Sequence, residues 1–379
     1  MIRGILSLCI CAVILSAGFA AGCSSTPSAD AMTAGETTTE AASQTTAQAS
    51  AQASAPTAEP TAGGEEPAAS TIAEPDRFFS AEIKSACIGD NNLSGDPGKE
   101  KIYVYLPPTY YESETAYPVV YYFHGFGESP GNFLNSSKSQ LDTLFKDGGD
   151  EFIMVEVAGS GYSGGSFYVN SPVTGNWDDY VIHEVIPFVD SNYRTMDKAD
   201  SRGICGFSMG GFGAMNLALL HPDVFAAVYA MSPGIMKDDA LPEAMGTWKG
   251  DSTFLRAYAQ AFAPDISDGN EHYGKIPALS GTIEDDKITE QWYSGFGNWR
   301  LKLDAYLALD TPLAAIGISY GDSDGYTWIP AGSAYFAQLL REKGIEPTEF
   351  AFKGGHQIPQ KPIQDHLGPF FRENLSWEP

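Results

Sequence analysis

The sequence predicts an α/β fold, with a mostly parallel central sheet and helices on both faces. Three observations carry this expectation: apolar runs of strand length recur along the chain, helix-length patterns separate several of them, and one long segment breaks that rhythm. The runs are "IYVYL" (102–106), "VVYYF" (119–123), "FIMVEV" (152–157), "GICGF" (203–207), "FAAVYAM" (225–231), "LAAIGIS" (313–319) and "EFAF" (349–352). Apolar throughout, they have the composition of buried strands. Residues 178–191, 210–221 and 332–343 read as helices between them, and 364–374 reads as a closing helix. Strands alternating with helices imply parallel neighbours. Right-handed crossovers then distribute the helices over both faces of the sheet. The segment that breaks the rhythm, about 234–310, shows no clear strand. It is crowded with Trp248, Tyr273, Trp292, Tyr293, Phe296 and Trp299. It reads as a partly helical insertion near the C-terminal edge of the sheet.

The N-terminus belongs to a different regime. Arg3 supplies a positive charge, Ile5 to Phe19 is apolar, and "AAGC" (Ala20–Cys23) places small residues before a cysteine. This pattern predicts a secretory signal over 1–22. Its end resembles a bacterial lipobox, which would make Cys23 the lipid-bearing first residue of the mature chain. An ordinary signal peptide cut nearby is the alternative. Residues 23–75 are mostly Ala, Ser, Thr, Gln, Glu, Pro and Gly, with no Lys or Arg. Such a composition buries too little apolar surface to offset its ordering entropy and predicts a disordered tether. One domain is then expected over 76–379, on an exported or surface-anchored protein.

Charge and cysteine usage exclude several classes. The formal net charge is −26, which argues against nucleic acid and against adsorption to an anionic membrane surface. Membrane contact is expected only through a lipid on Cys23, and the chain is expected to be a monomer. Of the five cysteines, Cys9 and Cys11 would leave with the signal and Cys23 would be acylated. Cys87 and Cys205 make neither a disulfide framework nor a metal cluster. Cys205 lies in an apparent buried strand and reads as a packed thiol. A Cys87–Cys205 bridge is the alternative that an exported compartment permits.

Gly206-Phe207-Ser208-Met209-Gly210 carries the chemistry. A G-x-S-x-G pattern is weak alone, but here a strand precedes it and a long apolar helix follows. Small flanking residues allow a sharp strand-to-helix corner. The serine would then stand at a helix N-terminus, whose partial positive charge and free N–H groups favour a developing oxyanion. "HGFG" (His124–Gly127) follows the strand 119–123 and matches the place of an HGGG-type oxyanion loop. The backbone N–H groups of Phe126 and Met209 are the expected oxyanion donors, with His124 structural. The base should come late in the chain. Of the six histidines, His356 follows "KGG" on a loop after the strand 349–352, whereas His366 falls in a helix pattern. The acid should follow the strand 313–319. There "GDSDG" offers Asp322 and Asp324, and spacing does not choose between them. The same stretch lacks the later ligands of a calcium loop, so no metal or other cofactor is expected.

With these residues in place, the chain resembles the esterase D-like family of α/β-hydrolases. That family includes feruloyl esterases, acetyl xylan esterases, S-formylglutathione hydrolases and mycolyltransferases. The resemblance runs from about Ile102 to Leu375. It rests on "YFHGFGES", "NWDDYVIHEVIPFVDSNYRT", "SRGICGFSMGGFGAMNLALLHPDVFAAVYAMSP", "GDSD" and "GGH". It implies an α/β-hydrolase fold and a triad of Ser208, Asp324 and His356, the acid being the last residue of a G-x-x-D loop. The chain departs from the family in lacking an aromatic just after "GGH", in extra residues around Trp328, and in the length of 234–310. These departures touch the substrate walls. With an exported tether, the expected activity is a serine esterase removing feruloyl or acetyl groups from polysaccharide. Tyr162, Trp177, Trp292 and Trp299 are the candidate substrate aromatics. An acyltransferase or esterase on cell-envelope glycans or lipids is the alternative enzyme, and a non-catalytic carbohydrate-binding lipoprotein the alternative outside enzymes.

Overall fold

The structure is a computed structural model that describes residues 76–378, apart from 147, 162, 249–251 and 268–271. The expected signal peptide, the tether and Cys23 lie outside the described residues, as does Tyr162. Eight strands form one sheet: β1 (Phe78–Lys84), β2 (Lys99–Tyr105), β3 (Val119–Phe123), β4 (Ile153–Val157), β5 (Arg202–Phe207), β6 (Ala227–Met231), β7 (Ala315–Gly321) and β8 (Thr348–Phe352). Their spatial order is β1-β2-β4-β3-β5-β6-β7-β8. Only β2 runs against the others, pairing antiparallel with both β1 and β4. The remaining neighbours pair in parallel. All seven sequence-predicted runs are strands of this sheet.

The interior strands are buried on both faces, so their sequences are apolar without alternation. Their side chains still divide strictly by parity. Val119, Tyr121 and Phe123 enter one apolar cluster, and Val120 and Tyr122 the other. Helix α1 (Asn132–Phe145) covers the second cluster with Leu134, Leu141 and Phe145, joined by Phe370 and Phe371 near the C-terminus. On the opposite face lie the helical stretch 177–192, which ends in α2 (Ile186–Asn192), and α3 (Met209–Leu220). Helix α3 is buried on every side from Met209 to Leu219, as befits a helix that is apolar all round. It stops at His221, because Pro222 cannot continue it. Cys87 and Cys205 are both buried, in clusters on opposite faces of the sheet. No disulfide joins them, and Cys205 is a packed thiol.

The insertion is helical. It contains α4 (Leu241–Thr247), α5 (Ser252–Phe262), α6 (Ile283–Gly295) and α7 (Trp299–Leu307). These helices need a core of their own, and aromatic rings supply it. Tyr258 stacks on Trp248 and Trp292, with centroids 4.2 and 5.7 Å apart. Phe296 packs on Phe212 of α3 at 5.0 Å, which fastens the insertion to the sheet layer. The chain then returns through β7 to α8 (Trp328–Glu342) and, after β8, to α9 (Gly368–Asn374).

Candidate active site

The corner between β5 and α3 is built for close backbone approach. A Cβ on Gly206 would stand 2.2 Å from the carbonyl oxygen of Gly210, and one on Gly210 would stand 2.1 Å from that of Phe123. Neither position accepts any other residue. Between them Ser208 sits at φ 54 and ψ −114, a conformation that costs about 1–3 kcal/mol for a residue with a side chain. The surroundings hold it there. Its N–H donates to Met231 O at 2.9 Å, and its carbonyl accepts the N–H groups of Phe212 and Gly234, both at 3.0 Å.

His356 Nε2 lies 2.8 Å from Ser208 Oγ, and His356 Nδ1 lies 2.7 Å from Asp324 Oδ2. Two loops converge to produce this. The N–H groups of Asp322 and Ser323 donate to Phe352 O and Gly354 O, both at 2.9 Å. These bonds extend the β7–β8 pairing beyond the strands and fix the two loops in register. Ser232 Oγ then donates to Gln357 O at 3.1 Å and ties the histidine loop to the end of β6. The imidazole is held between Phe207 and Tyr326, each with its ring centroid 5.0 Å away.

The two acids left open by spacing occupy different environments. The Asp324 side chain has no exposed surface; its second oxygen accepts the Tyr326 N–H at 2.8 Å. Asp322 instead points outward and pairs with Lys353 Nζ at 2.8 Å. Hydrogen bonds from Lys353 and Ser323 hold its carboxyl below the usual range. The structure brings Asp324 to His356 and directs Asp322 away.

The loop after β3 passes beside Ser208. His124 pins it from within: Nδ1 donates to Gly125 O at 2.8 Å, and Nε2 accepts the Gly159 N–H at 2.9 Å. Burial lowers the pKa of this ring, which keeps it neutral and suits a one-donor, one-acceptor role. Gly125 N–H donates to Glu128 Oε2 at 2.8 Å, and Gly127 N–H to Gly164 O at 2.8 Å. Phe126 lies between these two ties. Met209 opens α3, so its N–H has no carbonyl one turn earlier to bond. Phe126 and Met209 both line the cavity that holds Ser208 and His356.

That cavity has a volume of about 230 Å³. Its walls are largely aromatic, with Trp248, Phe254, Tyr258, Tyr326 and Trp328 around Ser208. Trp328 and the segment 234–310 stand at the wall as the sequence implies, but the described aromatics singled out as substrate contacts are not among these rings. Trp177, Trp292 and Trp299 are fully buried core residues and do not line the cavity. Trp177 Nε1 donates to Thr174 O, and Trp292 Nε1 to Lys275 O. Trp299 packs edge-on against Phe212 and Phe336. Trp292 and Trp299 are spent on the insertion's own core, which needs large rings, and Trp177 packs edge-on against Tyr180 under the sheet at 5.7 Å. Phe254 and Tyr258 escaped the sequence reading, although their i, i+4 spacing puts both on one face of α5. Glu128 was missed as well; its carboxylate sits at the cavity edge.

Serine hydroxyl, imidazole and buried carboxylate in series, beside a helix N-terminus, form an arrangement that can carry out acyl transfer. Comparison with known proteins agrees in class. The family model named Esterase matches residues 97–302, more than half of the chain. An esterase of Mycobacterium tuberculosis is 33% identical over 287 residues, covering 74% of this chain and 56% of its own. The chain therefore spans about half the length of that relative. An endo-1,4-beta-xylanase/feruloyl esterase of Xylanibacter ruminicola is 31% identical over 140 residues, covering 35% of this chain and 19% of its own. A solved ferulic acid esterase superposes with a TM-score of 0.54 at 21% identity, covering 79% of this chain and 98% of that one. That likeness shows a shared fold. The chain belongs to the esterase family, a group of carboxylic ester hydrolases built on the α/β-hydrolase fold.

Proposed function

We propose that the protein is an exported serine esterase that removes aryl acyl groups, of the feruloyl type, from polysaccharide. The observation that carries the reading is the continuous chain from Ser208 Oγ through His356 to Asp324, with contacts of 2.8 and 2.7 Å, at the base of an aromatic-walled cavity. His356 takes the Ser208 proton as the oxygen attacks the ester carbonyl, and Asp324 holds the imidazole tautomer and stabilises its cation. The N–H groups of Met209 and Phe126 receive the oxyanion, each contributing about 3 kcal/mol by analogy with measured donors. His356 then protonates the departing sugar oxygen, which leaves as the alcohol. Water, deprotonated by the same imidazole, releases the acid from Ser208. The flat rings of Trp248, Phe254, Tyr258, Tyr326 and Trp328 suit a planar aryl acyl group better than acetyl, because offset and edge-on ring contacts add to simple burial. The names of two related proteins, a feruloyl esterase and a ferulic acid esterase, point the same way. Export through the segment 1–22, with lipid attachment at Cys23, would place the enzyme where polysaccharide is found.

The test uses a fluorophosphonate serine probe and two esters. The wild-type chain should label and Ser208→Ala should not. Methyl ferulate should be hydrolysed with a higher kcat/KM than p-nitrophenyl acetate once the leaving-group difference is corrected. Equal labelling of wild type and variant would sink the nucleophile assignment. Turnover of the acetyl ester alone would sink the aryl preference. Labelled palmitate incorporation that survives Cys23→Ala would remove Cys23 as the site of the lipid anchor.

A further inference from the structure

A second concavity lies against the insertion, outside the cavity that holds Ser208. Its volume is about 610 Å³, and Ser94, Ser163, Arg256, Gln260, His272 and Tyr273 are among its lining residues, a size in the range of small-molecule sites. Helix α5 forms the wall between the two spaces. Phe254 and Tyr258 face the catalytic cavity, while Thr253, Arg256 and Gln260, spaced i, i+3 and i+7, line the groove. Phe254 stacks on Phe126 with centroids 4.0 Å apart, and these rings form the ridge between the two spaces. On the groove side, a Cβ on Gly164 would stand 3.4 Å from the Phe126 ring.

The groove is firmly built. Gln260 is buried and links three segments: its amide oxygen accepts from Ser163 Oγ, its amide nitrogen donates to His272 O at 2.8 Å, and its backbone carbonyl accepts from Ser171 Oγ at 2.6 Å. Arg256 stands out against this. The other described arginines, Arg77, Arg194, Arg202, Arg300, Arg341 and Arg372, each form an ion pair with a carboxylate or donate to backbone carbonyls. Arg256 has no such partner among the described residues, and its buried Nε has no acceptor. The chain holds 48 acidic side chains against 22 Lys and Arg, so carboxylates are plentiful, yet none of the described ones engages it. A half-buried guanidinium without a partner among the described residues is poised for an anion from outside. Its planar fork matches a carboxylate with two parallel hydrogen bonds. Around it are hydroxyl and amide groups and the exposed ring of Tyr273, the mixture that a sugar's hydroxyls and apolar face require.

We propose that this groove is a saccharide subsite in which Arg256 binds the carboxylate of a uronic-acid residue of the polymer. The proposal rests on the polysaccharide-ester reading for the identity of the polymer and deepens it. The acyl group enters the aromatic cavity, and an acidic sugar further along the chain seats across the Phe126–Phe254 ridge.

Binding tests this without turnover. The full chain carrying Ser208→Ala is titrated calorimetrically with a xylo-oligosaccharide bearing one glucuronic acid, and with the neutral xylo-oligosaccharide of the same length. The acidic ligand should bind about tenfold more tightly, as expected for a charge-assisted pair. The preference should shrink with added salt. It should disappear in Arg256→Gln and persist in part in Arg256→Lys, which keeps the charge but loses the fork. Equal affinity for the two ligands in the Arg256 protein overturns the proposal, whether or not Arg256→Gln folds. So does a preference that survives in a folded Arg256→Gln. Failure of the esterase reading looks different: the Ser208 protein would leave methyl ferulate intact while the acidic preference stood.

Discussion

Two helices begin at the C-terminal edge of the sheet, and the chain treats their N-termini in opposite ways. At α1, Gly131 turns the chain at φ 91 and offers no side-chain cap. The carboxylate of Glu156, projecting from β4, takes that place and accepts the Leu134 N–H at 2.9 Å. Burial pushes this carboxyl up to about 7, against the backbone amides of Leu134, Gly131 and Phe133, which pull it down. At α3, Ser208 also offers no side-chain cap, and the helix instead begins on the wall of the cavity that holds His356. Every helix start presents the same orphan amides and partial positive charge. In α1 the protein satisfies them with its own buried carboxyl, as structure. In α3 they face the space where a substrate's negative charge would develop.

The largest expected effects break the α3 end. Ser208→Ala and Asp324→Asn should each lower kcat/KM on methyl ferulate by about 10⁴-fold, whereas Asp322→Asn, at the outward Lys353 pair, should change it by less than about twofold. Steady-state kinetics on the three variants checks this, and comparable loss in both aspartate variants would reject the assignment of roles. Next comes the backbone. Gly210→Ala places a Cβ 2.1 Å from Phe123 O, an overlap that the fully packed corner cannot relieve. Its loss, expected to exceed about 4 kcal/mol, should leave little soluble protein on expression. Gly131→Ala meets the Tyr103 ring at 2.7 Å, a side chain that can give way, and should cost about 2 kcal/mol in urea unfolding.

The α1 end carries a pH signature. The folded Glu156 holds its proton up to about 7 from an ordinary 4.5. Between those values the folded state binds the proton that the unfolded chain has released, so this residue's contribution to stability falls as pH rises. Glu156→Gln should therefore unfold at higher urea than wild type at pH 8, by an amount on the order of 3 kcal/mol, and match it at pH 4. A gap that is constant with pH would mean that the carboxyl is not buried as a proton-holding cap. The smallest effect belongs to the strained serine. Ser208→Gly, as inactive as Ser208→Ala, should be more stable than it by about 1 kcal/mol, because glycine tolerates φ 54.

Legibility in the sequence followed how local each cause was. Strands buried on both faces announce themselves, since every residue of 119–123 is apolar. The edge strand β1, "FFSAEIK", has only one buried residue and so presents no apolar run. Helix α1 also went unread, because its sequence is polar and its buried face reduces to Phe133, Leu134, Ser137, Leu141 and Phe145. The serine and histidine motifs were legible because each sits on one short loop beside one strand. Choosing between Asp322 and Asp324 from spacing was not possible, because the choice depends on which side chain turns inward and which meets Lys353. The aromatic wall shows the same limit. Composition flagged 234–310 as rich in rings, but which rings fill a core and which face a cavity is decided by how α4–α7 pack on one another.

The stacked pair Phe126–Phe254 has a consequence for how this chain could diversify. One ring belongs to the loop that passes beside Ser208, and the other to α5, which borders both the cavity and the groove. On the proposed function, selectivity and turnover are therefore not separable modules. Transplanting a relative's insertion onto this sheet would disturb the support of the reacting centre along with the choice of substrate. A productive graft should need its partner residue at position 126 to travel with it.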